Sequence, residues 1–318
     1  MVRYTVRRLL FMIPIILGIS FLVLIFIDIT PGDPARMMLG DRATEEEIAA
    51  LRDELGLNDS LLVRYVRFLK NIVKGDFGTS YATGRPVFNE MMQRLPYTLL
   101  NVTLSLIIAV ALGIPIGVFA ATHQYTWKDN AAIFASLFFV SMPAFWFALI
   151  LVQVFAVKLN ILPPAGIETW KGWILPAFSL SLGFAAVIAR QTRSSFLEVI
   201  RQDYITTARA KGLGERSILF RHALKNALIP VITVIGSIFG LSIGSTLVGE
   251  VIFSIPGLGS YIMAGLSGRD YPVIQGSVLV LSIFFSFVMM IVDLLFAFVD
   301  PRIRVQFTRK RKKIGEGA

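Results

Sequence analysis

Cysteine is absent from this 318-residue chain, which excludes disulfides, thiolate metal sites, iron–sulfur clusters and cysteine nucleophiles together. Histidine occurs only at His123 and His222, and no H-E-x-x-H pattern is present, so the helix of a zinc hydrolase is missing. No Gly-Lys dipeptide occurs anywhere, which removes the phosphate-binding loop that an ATPase needs. Charged residues make up only 16% of the chain, well under the quarter or so usual in soluble domains. What fills that space is apolar: 55% of residues are hydrophobic and the mean hydropathy is +0.69. A water-exposed globule is excluded on this balance.

A helix satisfies its own backbone polar groups in lipid and needs about 20 mostly apolar residues to cross. Six stretches qualify, at 9–29, 98–121, 131–157, 173–189, 228–253 and 273–299, the fourth being the weakest. Arg3, Arg7 and Arg8 precede the first, but the run exceeds a signal core and leads into Thr30-Pro31-Gly32-Asp33-Pro34 without a cleavage pattern, so a retained span is expected. The formal charge of +10 is distributed unevenly. Segment 190–227 carries eight basic and three acidic residues, segment 300–318 seven and two, and the long 30–97 segment nine and ten. The positive-inside rule then places both termini, 122–130 and 190–227 in the cytoplasm and leaves 30–97, 158–172 and 254–272 outside. Nucleic acid is not an expected partner, and the basic tail Arg309-Lys310-Arg311-Lys312-Lys313 reads as an anchor at an anionic leaflet of the lipid bilayer.

The 30–97 segment carries its own helix punctuation. Thr44 and Glu47 form a capping-box pair opening a helix over 45–55, with Gly56 at its end. A second, amphipathic helix is expected over 61–74, with Leu62, Val66, Leu69 and Val73 on one stripe against Arg64, Arg67, Lys70 and Lys74. In 190–227, Asp203 can cap a short helix over Tyr204–Lys211, and Gly212 can take the left-handed position that ends it. Thr207, Ala208 and Ala210 are small enough for another backbone to approach, while Arg209 and Lys211 offer charge. The organisation expected is 1–29 as cytoplasmic N-terminus and first span, 30–97 as an external segment, and 98–318 as a five-span core.

Specific sequences then recur in a recognisable order: Arg193-Ser194-Ser195-Phe196-Leu197-Glu198-Val199, Asp203-Tyr204-Ile205, Thr207-Ala208-Arg209-Ala210-Lys211-Gly212 and His222-Ala223-Leu224-Lys225-Asn226-Ala227. Pro31-Gly32-Asp33-Pro34-Ala35, Gly75-Asp76-Phe77-Gly78-Thr79-Ser80, Pro256-Gly257-Leu258-Gly259, Arg269-Asp270-Tyr271-Pro272-Val273 and Asp300-Pro301-Arg302-Ile303-Arg304 accompany them. Over nearly its whole length the chain resembles an ABC-importer permease, and more narrowly the first of the two permeases of dipeptide, oligopeptide, nickel and glutathione importers. The resemblance implies an all-α integral membrane protein of type I importer architecture with six spans, in a bacterial cytoplasmic membrane. It implies a second homologous permease, two ATPase subunits and an extracytoplasmic binding protein as partners, with ATP and Mg held by the ATPases and no cofactor in this chain. Dipeptide or oligopeptide import is expected on family frequency, with nickel complexes or glutathione as the alternative.

The family's cytoplasmic Glu-Ala-Ala, three residues, Gly pattern maps onto Thr206, Thr207, Ala208 and Gly212, of which only Ala208 and Gly212 match. The resemblance makes Tyr204, Thr206, Thr207, Ala208, Arg209, Ala210, Lys211 and Gly212 the expected ATPase-docking residues. Gly236, Gly240 and Gly244, four apart on the fifth span, are expected to pack closely against another helix, within the chain or in a partner permease. Gly240-Leu241-Ser242-Ile243-Gly244 formally matches the nucleophile elbow of serine hydrolases but sits in an apolar helical run without a histidine partner. No catalytic or metal-ligating residue is expected, and an ion-driven carrier lacks the internal repeats it would ordinarily show. Asp293 stands inside the sixth span, with Asp28 and Glu250 near span ends, and an acid there is a functional suspect by default. A structural pairing of Asp293 with Arg302 or Arg304 is the favoured reading. Phe138, Phe139, Phe145, Trp146 and Phe147 crowd the third span and read as lipid contact and packing; no substrate-binding residue is assigned.

Overall fold

The computed structural model describes the backbone of residues 2–40 and 42–299, and their side chains except at 2–4, 7, 293 and 295–299. The regular structure of the described residues is helical, with one isolated antiparallel bridge between Thr79 and Pro86. In order the helices are α1 Val2–Ile29, α2 Pro34–Leu39, α3 Glu45–Glu54, α4 Leu61–Val73, α5 Val87–Thr122, α6 Trp127–Ser141 and α7 Ala144–Leu151. There follow α8 Ile174–Ile200, α9 Asp203–Ala210, α10 Glu215–Ser217, α11 Leu224–Ser245, α12 Leu247–Ile252, α13 Leu258–Ser267 and α14 Tyr271–Val299. Five helical stretches are long and apolar enough to cross a membrane, Arg8–Ile29, Val87–Thr122, Trp170–Ile200, Glu215–Ser245 and Tyr271–Val292, and the bent pair Trp127–Ser141 and Ala144–Lys158 brings the number to six when counted as one span.

That third span differs from the continuous helix expected over 131–157, because it bends by 99° between α6 and α7. The cause is local. Pro143 has no N–H to give, and its ring disfavours helical geometry at the residue before it; Met142 accordingly adopts φ −80°, ψ 126°. The fourth span, weakest by sequence, is a 27-residue helix running to Ile200 through Arg190 and Arg193. The fifth stops at Ser245, eight residues before the expected end, and α12 follows it as a separate turn and a half. The second span starts at Val87 rather than Thr98.

The chain divides into two compact units, one made of residues 1–100 with 243–286, the other of 101–242 with 287–318. In the first, Val87, Met91, Leu258, Tyr261 and Val273 form a buried cluster, and Ile27, Tyr271 and Ile274 form another. The segment before α5 is held by Asp270, which is 2% exposed and accepts hydrogen bonds from Ser80 Oγ at 2.6 Å and the Ala82 N–H at 3.1 Å. The expected capping box on α3 is present: Glu47 N–H donates to Thr44 Oγ1 and the Thr44 N–H to Glu47 Oε2. In the second unit, Ala109, Ala185, Ile188, Val231 and Ile238 pack between α5, α8 and α11.

Candidate functional site

The expected docking residues lie on α9 and the turn that ends it. The helix begins at Asp203, not after it; Gln202 occupies the capping position and no side-chain cap is made. The end is as the sequence expects. Gly212 has φ +76°, its N–H donates to the Arg209 carbonyl at 2.9 Å, and the Leu213 N–H donates to the Ala208 carbonyl at 3.3 Å. This pair of bonds is a Schellman motif, which satisfies carbonyls that the helix leaves open and requires a left-handed residue where Gly212 stands. A Cβ there would meet no atom within 4 Å, so any side chain is resisted by backbone conformation alone.

Burial divides the helix into two faces. Ile205 is 0% exposed and Ala208 8%, and both insert into a cluster with Val118, Ala121, Phe196, Ile218, Ala223 and Ala227. Ala208 therefore does not contribute to an outward small face, contrary to the sequence expectation; at 3.6 residues per turn it falls beneath the helix, one turn from Ile205. Tyr204, Thr206, Thr207, Arg209, Ala210, Lys211 and Gly212 are exposed. The Tyr204 hydroxyl accepts from Asn226 Nδ2 at 2.8 Å, which ties α9 to α11. Arg209 and Glu215 form a two-bonded pair, 2.7 and 3.2 Å, which braces the turn against α10. The arrangement is a short helix seated by Ile205 and Ala208 on a core drawn from α5, α8 and α11, with Thr206, Thr207, Arg209, Ala210 and Lys211 exposed.

Higher on α8, Arg193 grips Asp129 of α6 through Nε at 2.6 Å and Nη2 at 2.7 Å, and the Tyr125 N–H adds a third donor at 3.2 Å. Asp129 is 2% exposed. Asp129 stands between Lys128 and Asn130, before the apolar stretch at 131–157, so no local pattern marks it as the partner of Arg193. Gly113 and Gly117 stand four apart on α5. A Cβ at Gly113 would stand 2.7 Å from the Ala185 carbonyl oxygen and one at Gly117 2.5 Å from that of Ala189, so α5 and α8 cross at backbone distance. Of the expected stripe, Gly236 abuts Val292 with 2.5 Å from a notional Cβ, Gly240 is buried, and Gly244 is exposed with nothing within 4 Å.

Glu250, expected near a span end, is fully buried on α12. Its Oε1 accepts from Thr98 Oγ1 at 2.7 Å and Thr246 Oγ1 at 3.1 Å, and Oε2 from the Ser260 N–H at 3.0 Å. Thr98 also receives the Leu258 N–H at 2.9 Å. Asp28 pairs with Arg64. The side chain of Asp293, and Arg302 and Arg304, lie outside the described residues. Rings of Phe138, Phe139 and Phe147 pack edge to face at 5.5 and 6.0 Å between centroids, while Phe145 and Trp146 are exposed.

Two family models cover the chain. One, "Binding-protein-dependent transport system inner membrane component", matches residues 113–305, and its N-terminal companion matches residues 1–103. The chain belongs to this family of ABC-importer permeases. The glutathione transport system permease protein GsiC of Salmonella paratyphi A is 41% identical over 304 residues, covering 96% of this chain and 99% of its own, and that of Escherichia coli K12 is 40% identical over the same coverage. The inward-facing methionine ABC transporter MetNI shares the fold, with TM-score 0.57 at 20% identity over 66% of this chain and 96% of that one. An amino acid ABC transporter gives 0.52 at 14% identity over 68% and 94%. The permease is thus a multi-pass membrane protein, all-α, of the peptide and glutathione branch of ABC importers, a transport component and not an enzyme.

Proposed function

We propose that this permease forms half of a translocation pathway for a small peptide, pairs with a second homologous permease, and takes its driving force from two separate ATPase subunits docked beneath α9. An extracytoplasmic binding protein delivers the substrate, and the assembly sits in a bacterial cytoplasmic membrane with both termini inside. The two-faced burial of α9 carries the reading. Ile205 and Ala208 plug the helix into a core shared with α5, α8 and α11, while Thr206, Thr207, Ala210 and Lys211 face outward. Movement of a partner against the outer face is then delivered to α8 and α11 as a rigid displacement, because a close-packed interior transmits strain instead of absorbing it. The absence of a phosphate-binding loop from the sequence supports a separate ATPase, which would bind ATP and Mg.

Glutathione, a tripeptide, is the first substrate to test, because the relatives at 40–41% identity carry that name; dipeptides and longer peptides are the second. Calorimetry on the cognate binding protein with each ligand identifies which is carried. Docking is tested in cells by Ala210→Glu and Gly212→Val, with membrane abundance, ATPase co-purification and uptake measured together. At normal abundance, Ala210→Glu is expected to lose the ATPases and uptake; unchanged uptake by both variants refutes the assignment. Since the chain has no cysteine, Ser60→Cys labelled from outside and Ser217→Cys labelled only after permeabilisation is the expected orientation pattern.

A further inference from the structure

The amphipathic helix α4 has a face that nothing among the described residues covers. Its inner side is pinned to α1: the Tyr65 hydroxyl donates to the Leu17 carbonyl at 2.7 Å, lies 3.0 Å from Ser20 Oγ, and the Tyr65 ring stands edge-on to Phe21 with centroids 5.0 Å apart. Leu17, Ser20 and Phe21 are inside the apolar span Arg8–Ile29, so α4 rests against the flank of a membrane-crossing helix and not above its end. On the same stretch of α1, Leu22, Phe26 and Ile29 are open to the surroundings at 52%, 67% and 74%.

The outer side of α4 carries two adjacent stripes. Leu62, Val66 and Val73 are 65%, 48% and 88% exposed. Beside them run Arg67, Lys70 and Lys74, bordering a shallow open groove. Arg67 pairs with Asp59, whereas among the described residues neither Lys70 nor Lys74 forms a salt bridge. Two like charges four apart on a helix repel each other, and three exposed aliphatic side chains in water forgo the free energy of burial. Both deficits are met by one occupant. Acyl chains cover the aliphatic stripe while headgroup phosphates bridge the ammonium groups, whose stems lie along the apolar surface.

We infer that α4 is an interfacial helix that gathers anionic phospholipid headgroups around Lys70 and Lys74, on the leaflet facing the 30–97 segment. A free phosphate brings no hydrocarbon to the aliphatic stripe, and the seat of α4 against the apolar flank of α1 favours lipid over an acidic protein surface. The consequence is that lipid holds α4 against α1 and so steadies the segment between the first two spans.

The cysteine-free chain makes the test direct. Val66→Cys and, as a solvated reference, Glu46→Cys are spin-labelled in the transporter purified through this chain and reconstituted in phosphatidylcholine with or without phosphatidylglycerol. Relaxation by dissolved oxygen, which partitions into lipid, is compared with that by a water-soluble nickel chelate. The label at 66 is expected to respond to oxygen over nickel, and the label at 46 the reverse. In parallel, lipids retained by the wild type and by K70Q/K74Q are counted by native mass spectrometry. Each lysine near a charged surface contributes about fivefold, so removing two is expected to lower retained phosphatidylglycerol by about 25-fold while phosphatidylcholine is unchanged. A nickel-dominated response at 66 overturns the proposal in favour of a solvated face. Shielding from both agents overturns it in favour of a protein partner, and equal phosphatidylglycerol retention by the double variant removes the headgroup site.

Discussion

Two buried carboxylates, one in each compact unit, show two different solutions to the same problem. Asp129 is neutralised by a two-bonded guanidinium from a helix 64 residues away, and the pair cross-links α6 to α8. Glu250 has no cation beside it among the described residues; two threonine hydroxyls and the Ser260 N–H surround it instead. The first arrangement is a charge pair whose removal strands a cation. The second is a scaffold of neutral donors that fastens α12 to α5 and to the first turn of α13. Charge matters at Asp129 and acceptor geometry matters at Glu250.

The sharpest way to break that contrast is to keep shape and remove charge at both. Asp129→Asn leaves Arg193 without its counter-charge at a site where the acid is 2% exposed. Breaking a buried pair from one side costs about 3 kcal/mol or more, and a lower thermal midpoint of the purified permease is the expected reading. Asp129→Leu combined with Arg193→Met is expected to recover most of the loss, because no stranded charge is left. Glu250→Gln keeps one carbonyl acceptor and turns an amide toward remaining donors, for an expected cost of about 1–2 kcal/mol. Equal losses for the two single variants would erase the distinction.

A third carboxylate supplies the exposed end of the scale. Glu47 lies at the surface, and hydrogen bonds from the Thr44 N–H and hydroxyl hold its carboxyl below the ordinary range. A depressed value means that the cap stabilises α3 at pH above the ordinary carboxylate range. That contribution is lost as pH falls through the lowered, folded value. A carbon-detected NMR titration is expected to show Glu47 titrating below its neighbours, and Thr44→Val is expected to bring it back toward them with the smallest stability change of the three. No shift on Thr44→Val would dissociate the cap from the carboxylate.

Punctuation explains which elements were legible. The capping box at Thr44 and Glu47, the amphipathic period of α4 and the glycine stop at Gly212 each depend on residues within one or two turns, and each is found where the sequence puts it. Asp203 as a cap failed because Asp203 itself adopts helical geometry and Gln202 precedes it. The bend at Pro143 was readable in principle, since the ring's effect is local, but hydropathy averaged across it. Ala208 looked like an outward small residue until Ile205 fixed which side of α9 faces inward, and a helix only two turns long gives too few apolar positions to define that side alone.

Apolar runs of about 20 residues by themselves determined a helical membrane protein, because a run of that length crosses lipid as a helix that satisfies its own backbone, whereas a barrel strand needs only about ten residues. The missing Gly-Lys pair removed the phosphate-binding loop from this chain, since that loop needs those residues side by side. Tertiary structure alone decided that Asp129 meets Arg193, that Glu250 gathers donors from α5, α13 and the cap of its own helix, and that Gly113 and Gly117 set the α5–α8 crossing. Those choices depend on contacts between residues up to 152 positions apart, and a local pattern carries no information about which distant face a side chain will meet.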